Sequence, residues 1–415
     1  MTTPRGARTA GAPGSRLLGV AFVLVAVNLR LPIAAVSPVL VQIQAALHLS
    51  AAEAGLLTAI PVVCFGAFAF VTPRLRRRAG AEYLMVLVVA LLCAGTLWRV
   101  APGVGSLYAG TALIGAAIAV GNVLLPAVIK ADFAEQAAVL TGLYSMALSA
   151  GSAVSAGLTV PIERATGRGW RVAVGSWVVF ALVALALWGG ALVLRRTRGH
   201  APAPVRPEHL GGLWRDRLAW AVTAFMGLQS FGFYSTLAWV PTLLEQHHMS
   251  AARAGWLLSF SSLPALASSF AMPLVARRPR ARLLPLAGVL CCYAGAYLGL
   301  AFDPVGAPYF WMTLLGVAQG AALSLALGYI IHRAPDPEHA GELSMMAQGV
   351  GYLVASMGPV LFGLAHEWTR SWRVPLLFLL VLLVPLALAG ALASSERHVR
   401  RVPPAVRGAD SRLVP

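Results

Sequence analysis

Twelve times this chain runs for roughly twenty to thirty residues with few or no charged side chains, between short islands that hold charge, proline and glycine. A helix of that length crosses the roughly 30 Å hydrocarbon core of a bilayer, and lipid demands helices because each backbone polar group must find its partner within the chain. The stretches fall near 17–46, 53–73, 82–101, 105–130, 137–162, 171–194, 218–245, 253–276, 283–301, 308–331, 342–366 and 374–394. Only 11% of the residues are charged and 58% are hydrophobic, whereas a soluble domain carries about 25% charge. The expected fold class is therefore all-α and integral to the membrane, with twelve transmembrane helices.

The first stretch imitates a secretory signal, since Arg5, Arg8 and Arg16 precede an apolar run. Apolarity continues to about Leu47, too far for a cleaved segment, so the stretch reads as a spanning helix. The net charge of +17 reads as membrane sidedness rather than as nucleic-acid binding. With the N-terminus inside, the inner segments hold 24 of the 32 basic residues and the outer loops and their edges, Arg99 among them, hold 7; Arg30 is the remaining one. That bias places both termini in the cytoplasm of a multi-pass protein of the cell (plasma or inner) membrane. Cys64, Cys93, Cys291 and Cys292 all lie in apolar stretches without ligand spacing, so they read as small hydrophobes, and no metal or cofactor is expected.

The chain also repeats. HLSAAEAGLLTA at 48–59 matches HMSAARAGWLLS at 248–259 in seven of twelve positions, and the same offset of 200 carries Pro73 to Pro273 and Arg77-Arg78 to Arg277-Arg278. Trp170-Arg171 before span six returns as Trp372-Arg373 before span twelve. Six spans separate the copies, so both have one orientation. Two parallel six-helix halves around a central ligand site are the plan of the major facilitator fold. The expected organisation is a disordered N-tail 1–15, a first half 16–195, a Pro-rich linker 196–217, a second half 218–396 and a disordered C-tail 397–415.

Certain segments carry a narrower likeness: NLR at 28–30, GNVLLPAVIKADF at 121–133, LTGLYS at 140–145, WVP at 239–241, AGWL at 254–257, SMMAQGVGYLVASMGP at 344–359 and WRVP at 372–375. Together they resemble the cyanate/nitroimidazole transporters (CynX/NimT) of the major facilitator superfamily, over nearly the whole chain. The resemblance implies movement of small molecules, with cyanate-like anions and nitroimidazole-like heterocycles as precedents. The loop PRLRRRAG (73–80) departs from the superfamily's usual Gly-rich motif in lacking its Asp.

Arg30 stands out among the candidate site residues. It lies about thirteen residues into span one, roughly 20 Å deep at 1.5 Å per residue, where a charge is disfavoured by about 2.5–3.5 kcal/mol and marks a pathway or ligand site. No Asp or Glu lies well inside a span to pair with it. Two readings stay open: Arg30 contacts substrate in a central cavity, or it holds neighbouring carbonyls and polar side chains. A guanidinium suits a small anion because its planar fork adds directed hydrogen bonds to charge. Asn122, Tyr144, Gln229, Tyr234, Gln319, Gln348 and Tyr352 join it as candidate substrate-binding residues, spread over spans four, five, seven, ten and eleven. Trp239 is a further aromatic candidate, and Ser344, Gln348 and Tyr352 share one helix face. Pro32 and Pro126 are expected to kink their helices, and Lys130 and Asp132 to serve packing or gating at the inner face. The small residues of span five read as helix packing.

No nucleophile elbow, phosphate loop or metal spacing is present, so no catalytic residue is named and the chain is not expected to be an enzyme. The expected function is secondary or facilitative transport of a small planar anion or polar heterocycle by alternating access, with a monomer as the working unit. A broad drug or metabolite exporter, a membrane receptor without transport and a membrane-embedded enzyme are the alternatives. Without a mid-membrane carboxylate, uniport, exchange and proton coupling through the substrate or His332 all stay open.

Overall fold

The computed structural model describes residues 13–132, 137–196, 213–275, 283–335, 337–395 and 397–399. The tails, most of the linker and the segment 133–136 lie outside them. The regular structure among the described residues is helical, and it forms twelve rods in the expected order.

Rod one is broken three ways: α1 (Pro13–Asn28), α2 (Leu31–Ala34), a short 3-10 turn at Ser37–Val39, and α3 (Leu40–Leu47). Two prolines explain the breaks. Pro32 has no N–H for the carbonyl of residue 28, and Pro38 has none for residue 34. Arg30 sits in the first gap with φ −124° and ψ −30°, and its carbonyl accepts from Ile33 N and Ala34 N to start α2. The Asn28 side-chain amide turns back onto the Leu24 carbonyl at 2.8 Å. The expected kink at Pro32 is thus present as an interruption that leaves Arg30 outside any helix.

Rods two to five are α4 (Ala51–Ala79), α5 (Ala81–Arg99), α6 (Val104–Asp132) and α7 (Ala137–Thr166). Rod six steps at Trp177 between α8 (Gly169–Ser176) and α9 (Val178–Arg196). The second half comprises α10 (Arg217–Gln246), α11 (Ala251–Val275), α12 (Leu284–Phe302), α13 (Pro308–Arg333), α14 (Pro337–Thr369) and α15 (Arg373–Ala393). Among the described residues, nine spans are long and apolar enough to cross a membrane. The chain is an all-helical, multi-pass membrane protein.

The sequence repeat is also a repeat of backbone. His48 and His248 both adopt positive φ, 54° and 65°. Leu49 N donates to Gln44 O at 3.1 Å, and Met249 N to Leu244 O at the same distance. Ser50 then opens α4 with a complete capping box, its hydroxyl accepting from Glu53 N while the Glu53 carboxylate accepts from Ser50 N. Ser250 accepts from Arg253 N at 3.4 Å and does no more, because an arginine stands where the reciprocal carboxylate would be.

Two main seams join the halves among the described residues. Along α4 and α14 the backbones approach closely: a Cβ on Gly55 would meet the Pro359 carbonyl oxygen at 2.7 Å, one on Gly66 the Gly349 oxygen at 2.7 Å, and one on Gly363 the Ala51 oxygen at 2.7 Å. Between α7 and α11, Gly255 faces the Ala156 carbonyl and Gly157 faces Ser259. The α7–α11 contacts and the Gly55 and Gly363 contacts lie toward the end of the bundle opposite the chain termini, hereafter the far end. Small residues permit such approach where lipid offers no hydrophobic drive. This matches the expectation that span five packs through its small residues: Gly151 lies against the Val27 carbonyl of rod one.

Candidate functional site

Between the halves lies a cavity of about 690 Å³. Its lining runs from Ala34, Ala156 and Leu258 toward the termini end, as far as Phe270, Leu327 and Gly341. The eight residues singled out as candidate binders all line it: Arg30, Asn122 and Tyr144 from the first half, and Gln229, Tyr234, Gln319, Gln348 and Tyr352 from the second. Each is brought there by its rod. The break before α2 presents Arg30, α6 and α7 present Asn122 and Tyr144, and α10, α13 and α14 present the rest.

Arg30 is the one charged side chain among the described residues that line the cavity. Its Nη1 donates to the Tyr234 hydroxyl at 3.4 Å, a long bond across the boundary between the halves. Tyr234 belongs to a triangle of rings with Phe65 and Tyr352. The centroids lie 6.3 Å apart for Phe65–Tyr234, 5.7 Å for Phe65–Tyr352 and 6.3 Å for Tyr234–Tyr352, all inclined. Inclined rings at such distances attract edge to face.

The amides are already engaged, each within its own half. Tyr144 donates its hydroxyl proton to Asn122 Oδ1 at 3.1 Å, Gln319 Nε2 donates to Thr236 Oγ1 at 2.8 Å, and Gln348 Nε2 donates to Ser344 Oγ at 2.7 Å. Gln229 Nε2 donates to Ser230 Oγ at 2.7 Å. These bonds fix the amide orientations and direct their remaining valences. Such a wall, mostly apolar with a few placed polar groups, has the makeup of a small-molecule pocket.

Several expectations need correction or extension. Trp239 does not line the cavity: it is 1% exposed and its Nε1 donates to the Pro359 carbonyl at 2.7 Å, tying α10 to α14. Arg99, read as an outer-edge residue, is 2% exposed and donates through Nη1 to the Pro32 carbonyl at 2.7 Å. It falls at the last residue of α5, where sequence alone places an arginine at an interface. His332 is exposed near the termini end, away from the cavity. Phe65 and the serines 149, 152, 261, 262, 269 and 324 line the cavity unforeseen. A phenylalanine in an apolar helix gives no signal, and span-five serines look like packing. The α6 backbone stays helical through Pro126 to Asp132, while the side chains of Pro126, Lys130, Asp132 and Ser145 lie outside the described residues. No group of His, Cys, Asp and Glu fit to hold a metal occurs among the described residues.

Two six-rod halves with parallel repeats around a mostly apolar cavity are the plan of a membrane transporter of the major facilitator class. Residues 18–359 match the Major Facilitator Superfamily, and the chain belongs to that family of transporters. It is 36% identical over 381 residues to the 2-nitroimidazole transporter of Escherichia coli (strain K12), covering 91% of this chain and 95% of that one. It is 29% identical over 359 residues to the cyanate transport protein CynX of the same organism, covering 85% and 91%. The cyanate/nitroimidazole likeness read from the motifs is therefore present along most of the chain. Among solved structures, a bacterial homologue of the human lysosomal transporter Spinster, described as inward-facing and occupied, superposes with a TM-score of 0.73 at 17% identity, covering 92% of this chain and 97% of that one. At that identity the likeness speaks to the fold alone.

Proposed function

We propose that this transporter moves a small planar anion or a polar heterocycle across the cell membrane, with Arg30 as the group that meets its charge or its strongest acceptor. The observation that carries the reading is that a single cation, and no carboxylate, lines the cavity among the described residues. A lone guanidinium in a mostly apolar, partly aromatic wall favours one negative charge, and its fork suits carboxylate or nitro oxygens. Phe65, Tyr234 and Tyr352 supply an aromatic patch beside a planar ring, and Asn122, Tyr144, Gln229, Gln319 and Gln348 supply neutral hydrogen bonds. A cavity of about 690 Å³ is far larger than a three-atom ion requires. Within the anion class, an aromatic monoanion therefore suits these walls better than cyanate. The heterocycle class draws support from the 2-nitroimidazole relative.

The halves rock about the site. Closure at the far end rests on the contacts of Gly55 with Pro359 and Gly255 with Ala156, and the arginine distribution assigns the termini end, into which the cavity extends, to the cytoplasm. One chain contributes the whole cavity, so a monomer suffices.

The test is binding and counterflow with benzoate, cyanate and 2-nitroimidazole, using wild type, Arg30→Gln and Arg30→Lys. Ligand at 100 times its Kd stabilises the native state by about 2.7 kcal/mol, enough to read as a melting shift. Benzoate should protect and exchange in wild type and fail in a folded Arg30→Gln. Equal protection of both proteins by 2-nitroimidazole, with none by either anion, would make Arg30 structural and leave the heterocycle class standing.

A further inference from the structure

We propose that Arg99 is a positioning residue for the cavity: by holding the Pro32 carbonyl it fixes the broken backbone that presents Arg30. The inference rests on the reading of Arg30 as the ligand-contacting cation.

Arg99 ends α5 with 2% of its surface exposed, a burial that arginine rarely reaches without a charged partner. Its one hydrogen bond among the described residues runs from Nη1 to the Pro32 oxygen at 2.7 Å, while Nε and Nη2 have no partner there. A buried guanidinium with most of its donors idle is a poor device for stability alone, since an apolar side chain of similar volume usually serves packing as well or better. Its place is set tightly. Gly110 of α6 leaves room for the Arg99 backbone, and a Cβ there would lie 2.6 Å from the Arg99 Cα.

The carbonyl that Arg99 takes is free because of the break. In a continuous helix the Pro32 oxygen would accept from Val36 N; here Val36 N turns to Ile33 O at 3.4 Å instead. Pro32 belongs to the single turn of α2, and that turn is started by the Arg30 carbonyl, which accepts from Ile33 N and Ala34 N at 3.2 Å. The path from Arg99 to Arg30 is therefore three short steps: guanidinium to carbonyl, carbonyl to turn, turn to the residue that caps it. Without the outer hold, the freed carbonyl can regain Val36 N, the turn can wind on, and Arg30 rotates away from Tyr234.

The test is a double-mutant cycle on benzoate affinity with Arg99→Met, Arg30→Gln and both together, and with Arg99→Lys as the conservative rescue. Expected are a loss of about tenfold for Arg99→Met, affinity within about threefold of wild type for Arg99→Lys, and no further loss when Arg99→Met is added to Arg30→Gln. An unchanged affinity in Arg99→Met, or an equal loss in both backgrounds, overturns the proposal, because Arg99 would then act without Arg30. If Arg99→Met does not fold, Arg99→Gln, too short to reach the carbonyl, takes its place under the same criteria. Failure of Arg30→Gln itself to weaken benzoate sinks the reading of the site rather than this proposal. In that case, or if benzoate does not bind wild type, a structure of the Arg99 variant decides: Arg30 still beside Tyr234 overturns the positioning role, and Arg30 withdrawn supports it.

Discussion

Arg30 and Tyr234 meet across the midline of the molecule, guanidinium Nη1 to phenol oxygen at 3.4 Å, the first from the break in rod one and the second from α10. A bond this long, made by the one cation that lines the cavity among the described residues, holds the halves loosely and leaves the remaining guanidinium donors available. Tyr234→Phe keeps the ring triangle and removes only the oxygen. A stretched bond of this kind contributes at the low end of the usual 0.5–1.5 kcal/mol, so benzoate affinity should fall about threefold at most, measured by calorimetry on the purified protein. A loss as large as that of Arg30→Gln would mean that the phenol itself contacts the ligand.

Trp239 reports on stability rather than on binding. Trp239→Phe removes the indole donor from the Pro359 carbonyl, which still lies within α14, a loss of about 0.5–1.5 kcal/mol for the hydrogen bond. The melting temperature should drop by about 1–5 °C while the affinity for ligand stays put. A Trp239 variant that melts as wild type would show that the indole bond adds nothing to the join of α10 and α14.

The glycine seam is open to a direct test of closure. A valine at Gly55 places carbon within 2.7 Å of the Pro359 oxygen, too close for the far end to seal. Spin labels on Ala46 and Trp368, exposed residues of the two halves at that end, should then show a longer and broader distance distribution. Transport should fall at least tenfold while binding survives. An unchanged distance would move closure elsewhere, to the α7–α11 contacts.

The two copies of the repeat offer a matched pair. Ser50 has the full capping box with Glu53, and Ser250 has only the forward bond to Arg253 N. Ser50→Ala should cost about 1 kcal/mol, and Ser250→Ala measurably less. Melting curves of the two variants check the order, and equal losses would show that the Glu53 carboxylate adds nothing.

Much of the architecture was legible because lipid leaves a chain few choices. Apolar length gave the rods, and the offset of 200 between His48 and His248 gave the two halves, while the positive φ they share shows only in the backbone. The cavity was legible where polarity is rare: an amide or phenol amid apolar residues stands out, and all eight such candidates reach one space. What polarity could not reveal was a role carried by ordinary residues. Phe65 is one aromatic among many, and the serines of α7 and α11 share the composition of a packing face. Arg99 misled because span-end arginines usually reach water, whereas here the chain folds α2 and α6 over it. Trp239 had the right chemistry for a pocket but turns to the opposite side of its helix. Rod direction, not composition, makes that difference.

The bond between Arg30 and Tyr234 joins residues 204 positions apart. At ribosomal speeds of about 5–20 residues per second, roughly 10 to 40 seconds separate their synthesis. Through that interval the nascent first half holds a guanidinium in the bilayer interior whose cross-half partner does not yet exist. The newborn protein therefore passes through a stage in which this cation lacks its cross-half partner, and completion of α10 ends it.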